Sequence, residues 1–138
     1  MSQFPLKIVT PDGLIYDGQA QMVVVRTVNG DMAVMARHIN CVCPLGMGQA
    51  VIVEEDGKRR TAACIGGMLS VVGGEVSLIP TTFEWADQID ASRAEASRER
   101  AEKVLNNKEA NDTDLRMAEA RLKRALIRKG VAQSYSSR

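Results

Sequence analysis

Asp87-Gln88-Ile89-Asp90-Ala91-Ser92-Arg93-Ala94-Glu95-Ala96-Ser97-Arg98 opens a stretch that runs to Lys129 without a glycine or a proline. Ala, Glu, Arg, Lys and Leu dominate it, all strong helix formers. Asn106-Asn107 and Asn111-Asp112-Thr113-Asp114 interrupt the pattern, and the second cluster supplies N-cap residues. The spacing predicts one helix over roughly 88–106 and a second over roughly 112–130, with Gly130 near a C-terminal stop. So short a link makes the pair an antiparallel hairpin. The polar end, Gln133-Ser134-Tyr135-Ser136-Ser137-Arg138, reads as frayed, with 134–138 a disordered tail.

Upstream the pattern is different. Residues 1–83 hold ten of the eleven glycines and all four prolines. Between them lie short β-branched runs: Leu6–Val9, Met22–Thr27, Ala50–Glu54, Thr61–Ile65, Met68–Val72 and Val76–Ile79. Such runs read as strands. Pro11-Asp12-Gly13, Asn29-Gly30, Asp56-Gly57 and Gly73-Gly74 mark the reversals. The fold class expected is therefore β plus α: an N-terminal antiparallel β-sandwich over 1–84, followed by a two-helix antiparallel hairpin over 85–133.

Composition narrows the function. The chain has 138 residues, 45% hydrophobic and 4% aromatic, with 18 basic and 17 acidic side chains, so its net charge of +1 argues against nucleic-acid binding by bulk charge. No apolar run is long enough to span a membrane, and the N-terminal residues have neither a signal-peptide nor a transit-peptide pattern. The chain is expected to stay where it is made, without inserting into a membrane.

The hairpin's apolar stripe is thin. The first helix offers Ala91, Ala94, Ala101, Val104 and Leu105, and the second Leu115, Ala118, Leu122, Ala125 and Leu126. Alanine allows close approach but buries little area, so the hairpin is expected to be marginally held, as a switching arm requires. An ordinary stable hairpin is the alternative. Charge is also uneven: residues 1–83 carry six basic and seven acidic groups, whereas 115–129 carry six basic groups against Glu119 alone. That basic rod is either a solvated face or a surface for an acidic protein or an anionic ligand; no aromatic platform accompanies it for nucleic acid.

Arg93 and Arg100 are seven apart in the first helix, and Arg121, Arg124 and Arg128 follow i, i+3, i+7 in the second. With a turn near residue 110, antiparallel pairing sets Arg93 level with Arg128 and Arg100 level with Arg121. Four or five guanidiniums then surround one gap, a geometry suited to phosphate oxygens. Glu84, Asp87 and Asp90 cluster beside Trp85, the only tryptophan. Asp90 serves as an N-cap or as an acceptor for an amino group such as a purine's. With no Gly-rich phosphate loop or Walker lysine, the set would bind a nucleoside polyphosphate rather than hydrolyse it.

Cys41, Cys43 and Cys64 form an odd count that argues against a disulfide framework. They read as small buried hydrophobes, and a metal set with His38 is the weaker alternative, because one Cys-x-Cys without a second knuckle is a poor zinc signal. No metal and no catalytic residue are expected.

Several segments together carry a family resemblance: Leu6-Lys7-Ile8-Val9-Thr10-Pro11-Asp12-Gly13, Gly30-Asp31 followed by His38, Gly66-Gly67-Met68-Leu69-Ser70-Val71, Ile89-Asp90-Ala91-Ser92-Arg93-Ala94 and Leu122-Lys123-Arg124-Ala125. In order and spacing, over about 2–132, the sequence resembles the epsilon subunit of F-type ATP synthase, of the bacterial type. The resemblance implies a ten-stranded sandwich, two C-terminal helices and a non-catalytic subunit of the central stalk, peripheral on the cytoplasmic face of the bacterial inner membrane. It implies contacts of the sandwich, at Asp31 and His38, with the gamma subunit and the c-ring. The helices would extend to block ATP hydrolysis, with Arg116, Arg121 and Lys123 meeting an acidic loop of a beta subunit. It further implies ATP as a regulatory ligand of the folded hairpin, through Glu84, Asp90, Arg93, Arg100, Arg124 and Arg128, with Glu84 and Asp90 at the adenine end. The sequence departs from the family pattern at Ala33 and Ala36, where a glycine and a proline are usual. A free-standing nucleotide-binding sensor, outside any rotary complex, is the alternative function.

Overall fold

The computed structural model describes residues 2–136. The chain divides between Trp85 and Ala86 into two compact units.

The first unit holds nine strands: β1 (Phe4–Thr10), β2 (Gly13–Thr27), β3 (Gly30–Met35), β4 (Cys41–Pro44), β5 (Met47–Glu54), β6 (Arg59–Ile65), β7 (Met68–Val72), β8 (Glu75–Ile79) and β9 (Thr82–Trp85). Their order is β4-β7-β8-β1-β2-β5-β6-β9, with β3 also on β2. The first part of β2 pairs with β1, and its later part with β3 and β5. This one long strand therefore serves both layers of the sandwich. All pairings are antiparallel except β1–β8, which is parallel. Nine strands stand among the described residues where ten were expected. β3, β4 and β9 had no strong apolar run to announce them; β4 and β9 are only four residues long.

Alternation decides which side chains enter the core. Along β1, Phe4, Leu6, Ile8 and Thr10 are buried and the residues between them exposed. Val23, Val25, Val34, Ile52, Leu69, Val71, Val76 and Leu78 complete the interior. Two hairpins are closed by the same device. Thr10 Oγ1 accepts from the Asp12 amide at 3.2 Å and donates to the Gly13 carbonyl; Thr27 Oγ1 accepts from Asn29 at 3.1 Å and donates to the Gly30 carbonyl at 2.8 Å. Gly67 is required for a different reason. Its φ is +93°, and a Cβ there would lie 2.0 Å from the Ile79 carbonyl oxygen.

The second unit begins with a 3-10 turn (Ala86–Gln88), then α1 (Ala91–Leu105) and α2 (Asp112–Ser136). Trp85, placed with the helices by the sequence, is instead the last residue of β9. Asp90 caps α1, its carboxylate accepting from the Arg93 amide at 3.1 Å. Asn111 caps α2 through its carboxamide oxygen, 2.8 Å from the Asp114 amide. The helix does not stop at Gly130. It continues to Ser136, so the tail expected from Ser134 is helical as far as Ser136, and 137–138 lie outside the described residues. Gly130 is not in a left-handed conformation, and one glycine in a helix costs only about 1 kcal/mol.

Candidate functional site

The seam between α1 and α2 is alanine. Ala94 and Ala101 are buried on α1, and Ala118 and Ala125 on α2, each pair one heptad apart. Small side chains bring the helices close, while the longer residues beside them project outward and leave a cleft of about 590 Å³. Ala101, Val104, Met117 and Ala118 are among its apolar lining residues, and Arg100, Arg121, Arg124 and Arg128 bring four guanidiniums to it, with Ser97, Asn107 and Asp114. Arg100 donates to Ser97 Oγ at 3.3 Å. Among the described residues, Arg100, Arg121 and Arg124 form no ion pair with a carboxylate. Guanidiniums gathered at one cleft make it a candidate anion site.

The expected residues divide accordingly. Arg100, Arg124 and Arg128 line the cleft, and so does Arg121, which helical spacing set level with Arg100 and the resemblance assigned to a beta-subunit contact. Arg93 is exposed and lies outside the lining, and the Asp90 carboxylate is engaged in capping. Glu84 belongs to the other unit, on β9 opposite Ala63. Arg116 and Lys123 are exposed on α2.

Beside the alanine seam runs an ion-pair network that the sequence reading missed. Arg98 pairs with Glu95 and, at 2.7 Å, with Glu102; Lys129 of α2 reaches Glu95 at 2.8 Å. The Arg98 hydrogen bond, then that of Lys129, holds the Glu95 carboxyl down at about 2. The i, i+3 and i, i+4 spacing of Glu95, Arg98 and Glu102 was the available signal.

In the sandwich, Arg26 Nε lies 3.1 Å from Asp31 Oδ1 across the β2–β3 pair. His38 Nδ1 donates to the Ile39 carbonyl at 2.8 Å, in a loop where Arg37 takes a φ of +68°. Ile39 beside it is 78% exposed, the largest exposure of any large apolar residue among the described residues. Val9, Val42, Met68, Val72 and Ile79, on β1, β4, β7 and β8, add an apolar outer face. Single-sequence patterning gave no hint of that face, because outward valine and methionine look like core residues. Trp85 is stacked beneath Arg60, whose guanidinium carbon is 3.6 Å from the ring centroid, and meets Phe83 edge-on at 4.9 Å. Burial pushes the Cys64 thiol up to about 12, which leaves it a core hydrophobe.

Among the described residues, no three His, Cys, Asp or Glu side chains could hold one metal ion, and no helix is long and apolar enough to cross a membrane. A family model described as ATP synthase, Delta/Epsilon chain, beta-sandwich domain matches residues 3–86. Another, the long alpha-helix domain of the same chain, matches 87–133. The ATP synthase epsilon chain of Bacillus velezensis is 43% identical over 94 residues, 68% of this chain and 70% of the relative. That of Alkaliphilus oremlandii is 42% identical over 94 residues, 68% and 69% of the two chains. In fold, a chain of the Euglena gracilis mitochondrial ATP synthase superposes with a TM-score of 0.81 at 21% identity, covering 100% of this chain and 83% of that one.

Proposed function

Because the chain belongs to the ATP synthase delta/epsilon family, we propose that it is the coupling and regulatory subunit of the central stalk, with a hairpin arm controlled by ATP. In this reading the subunit performs no catalysis. It sits peripherally on the cytoplasmic face of the bacterial membrane, and its sandwich meets the gamma subunit and the c-ring. The apolar outer face, with exposed Val28, Asp31 and Ile39 beside a half-buried His38, supports those contacts, since contiguous exposed apolar surface marks an interface.

The observation that carries the ATP control is the four-arginine cleft between α1 and α2. Its volume falls within the range of small-molecule sites. A polyphosphate bridging Arg100 of α1 to Arg121, Arg124 and Arg128 of α2 would tie the helices together. A ligand that binds only the folded hairpin stabilises it by about 2.7 kcal/mol at a hundredfold excess over Kd. When ATP falls, the arm is released, and the same basic residues, with Arg116 and Lys123, meet an acidic surface of the catalytic head to block hydrolysis.

The test is calorimetric titration of ATP into the full chain and its Arg100→Ala and Arg124→Ala variants. Saturable one-to-one binding by the wild type, weakened at least about tenfold by either variant, is expected, since each removes a charge-assisted phosphate contact. No heat at millimolar ATP would remove the nucleotide from the scheme and assign the arginines to a protein interface. Trp85 fluorescence is a secondary readout, because Arg60 already covers the ring.

A further inference from the structure

The β3 and β4 strands are both sheet edges: β3 pairs only with β2, and β4 only with β7. Between these edges lie sulfur atoms. Cys43 Sγ of β4 is 3.7 Å from Met32 Sδ of β3. Cys41, two residues along the same strand, shares the face of Cys43. All three side chains are half-buried against the core cluster.

From this arrangement we infer that Cys41, Cys43 and Met32 form a site for one soft monovalent metal ion, Cu(I). Thiolate and thioether sulfurs are the ligands that select such an ion. With metal–sulfur bonds of about 2.3 Å, three ligands in a plane stand about 4 Å from one another. The Cys43–Met32 separation already matches this for one of the three ligand pairs. Both cysteines release a proton on binding, and the metal then bridges two strand edges that no backbone ladder joins.

Two competing uses of these sulfurs are weaker. A Cys41–Cys43 disulfide is disfavoured, because strand rise puts their Cα atoms about 6.6 Å apart, at the far end of the range a disulfide spans. Zinc prefers four ligands, and the His38 ring nitrogen beside Cys41 is already engaged by a backbone carbonyl. His38 Nδ1 is 4.0 Å from Cys41 Sγ and donates to the Ile39 carbonyl. Cys64 is buried on β6, apart from the pair.

The experiment is an anaerobic titration of Cu(I) into the reduced full chain against a chromophoric Cu(I) chelator, with Zn(II) run in parallel. The expected result is one Cu(I) per chain, an affinity for Zn(II) many orders weaker, and sulfur-only coordination by X-ray absorption. Cys41→Ser and Cys43→Ser should abolish the site, and the near-isosteric Met32→Leu should weaken it about tenfold or more through loss of one soft ligand. Cys64→Ser should change nothing. If Met32→Leu, folded by circular dichroism, binds as tightly as the wild type, the three-sulfur site is wrong. Binding lost only with Cys64 would overturn it as well.

Discussion

The sandwich and the hairpin bury different things. In the first unit the fully buried side chains are large: Leu6, Ile8, Ile52, Leu69 and Leu78 among them. In the second, the seam is Ala94, Ala101, Ala118 and Ala125. Full burial of a leucine or isoleucine contributes about 1.5–3 kcal/mol, and an alanine much less. The strands also cross-brace one another through long-range ladders, whereas the helices depend on caps, a thin seam and exposed ion pairs. The first unit is held by far more buried apolar area than the second. Under the proposed ATP control, a ligand contributing a few kcal/mol would act on the second unit and leave the first unchanged.

The largest break in this contrast should come from the sandwich. Gly67→Ala sets a Cβ against the Ile79 carbonyl and 2.5 Å from Pro80 Cα, at a positive φ. Backbone groups cannot swing aside, so the expected loss is about 4 kcal/mol or more. Urea unfolding followed by Trp85 emission would read it. A variant as stable as the wild type would mean that the β6–β7 turn is far softer than its geometry implies.

A smaller effect is expected at the seam. Ala101→Leu adds three carbons where α1 meets α2, and overpacking costs about 1–3 kcal/mol. Hydrogen exchange in α1 and α2 should accelerate while β1, β5 and β8 keep their protection. Under the proposed ATP control, the same variant in an assembled synthase should inhibit hydrolysis more strongly at a given ATP level. Equal acceleration in the sandwich would show that the two units do not unfold separately.

These contrasts were unequally legible in the sequence. Phe4-x-Leu6-x-Ile8 alternates with period two, and the run from Asp87 to Lys129 has the composition of helix, so both units could be read at once. β3 was hidden because in Gly30-Asp31-Met32-Ala33-Val34-Met35 only Val34 is buried, beside a half-buried Met32 and an exposed Met35. The arginine cleft was visible because helical spacing fixes which residues share a face. Glu84 and Arg93 were harder to place, because linear distance across a domain junction says nothing about proximity. The Met32–Cys43 contact joins edges eleven residues apart through a loop, and no periodicity encodes that.

The cap of α1 separates stability from ligand contact. Asp90→Ala should cost about 1 kcal/mol of hairpin stability, and Asp90→Asn almost nothing, since asparagine caps equally well. If Asp90 also meets the adenine end of ATP, Asp90→Asn should weaken ATP binding at unchanged helicity. Unchanged affinity would confine Asp90 to capping, where its bond to the Arg93 amide already places it.

The smallest effect is electrostatic and depends on pH. Glu95 has a pKa of about 2 in the folded hairpin, against 4.5 as its ordinary value, because Arg98 and then Lys129 favour its charged form. Above pH 4.5 it is ionised whether the hairpin is folded or not, and its stabilising contribution is complete. As pH falls below 4.5 the unfolded chain takes up the proton first, so stability declines until about pH 2, where the folded form is protonated as well. Glu95→Gln should lower the urea midpoint of the helices at pH 7, with the gap from wild type closing between pH 4.5 and 2. Salt should narrow the gap at pH 7, because Glu95 and Lys129 are each 34% exposed. A gap that persists at pH 2 would locate the Glu95 contribution in packing rather than charge. The Lys129 bridge would then no longer explain how α2 is held to α1 beside the alanine seam.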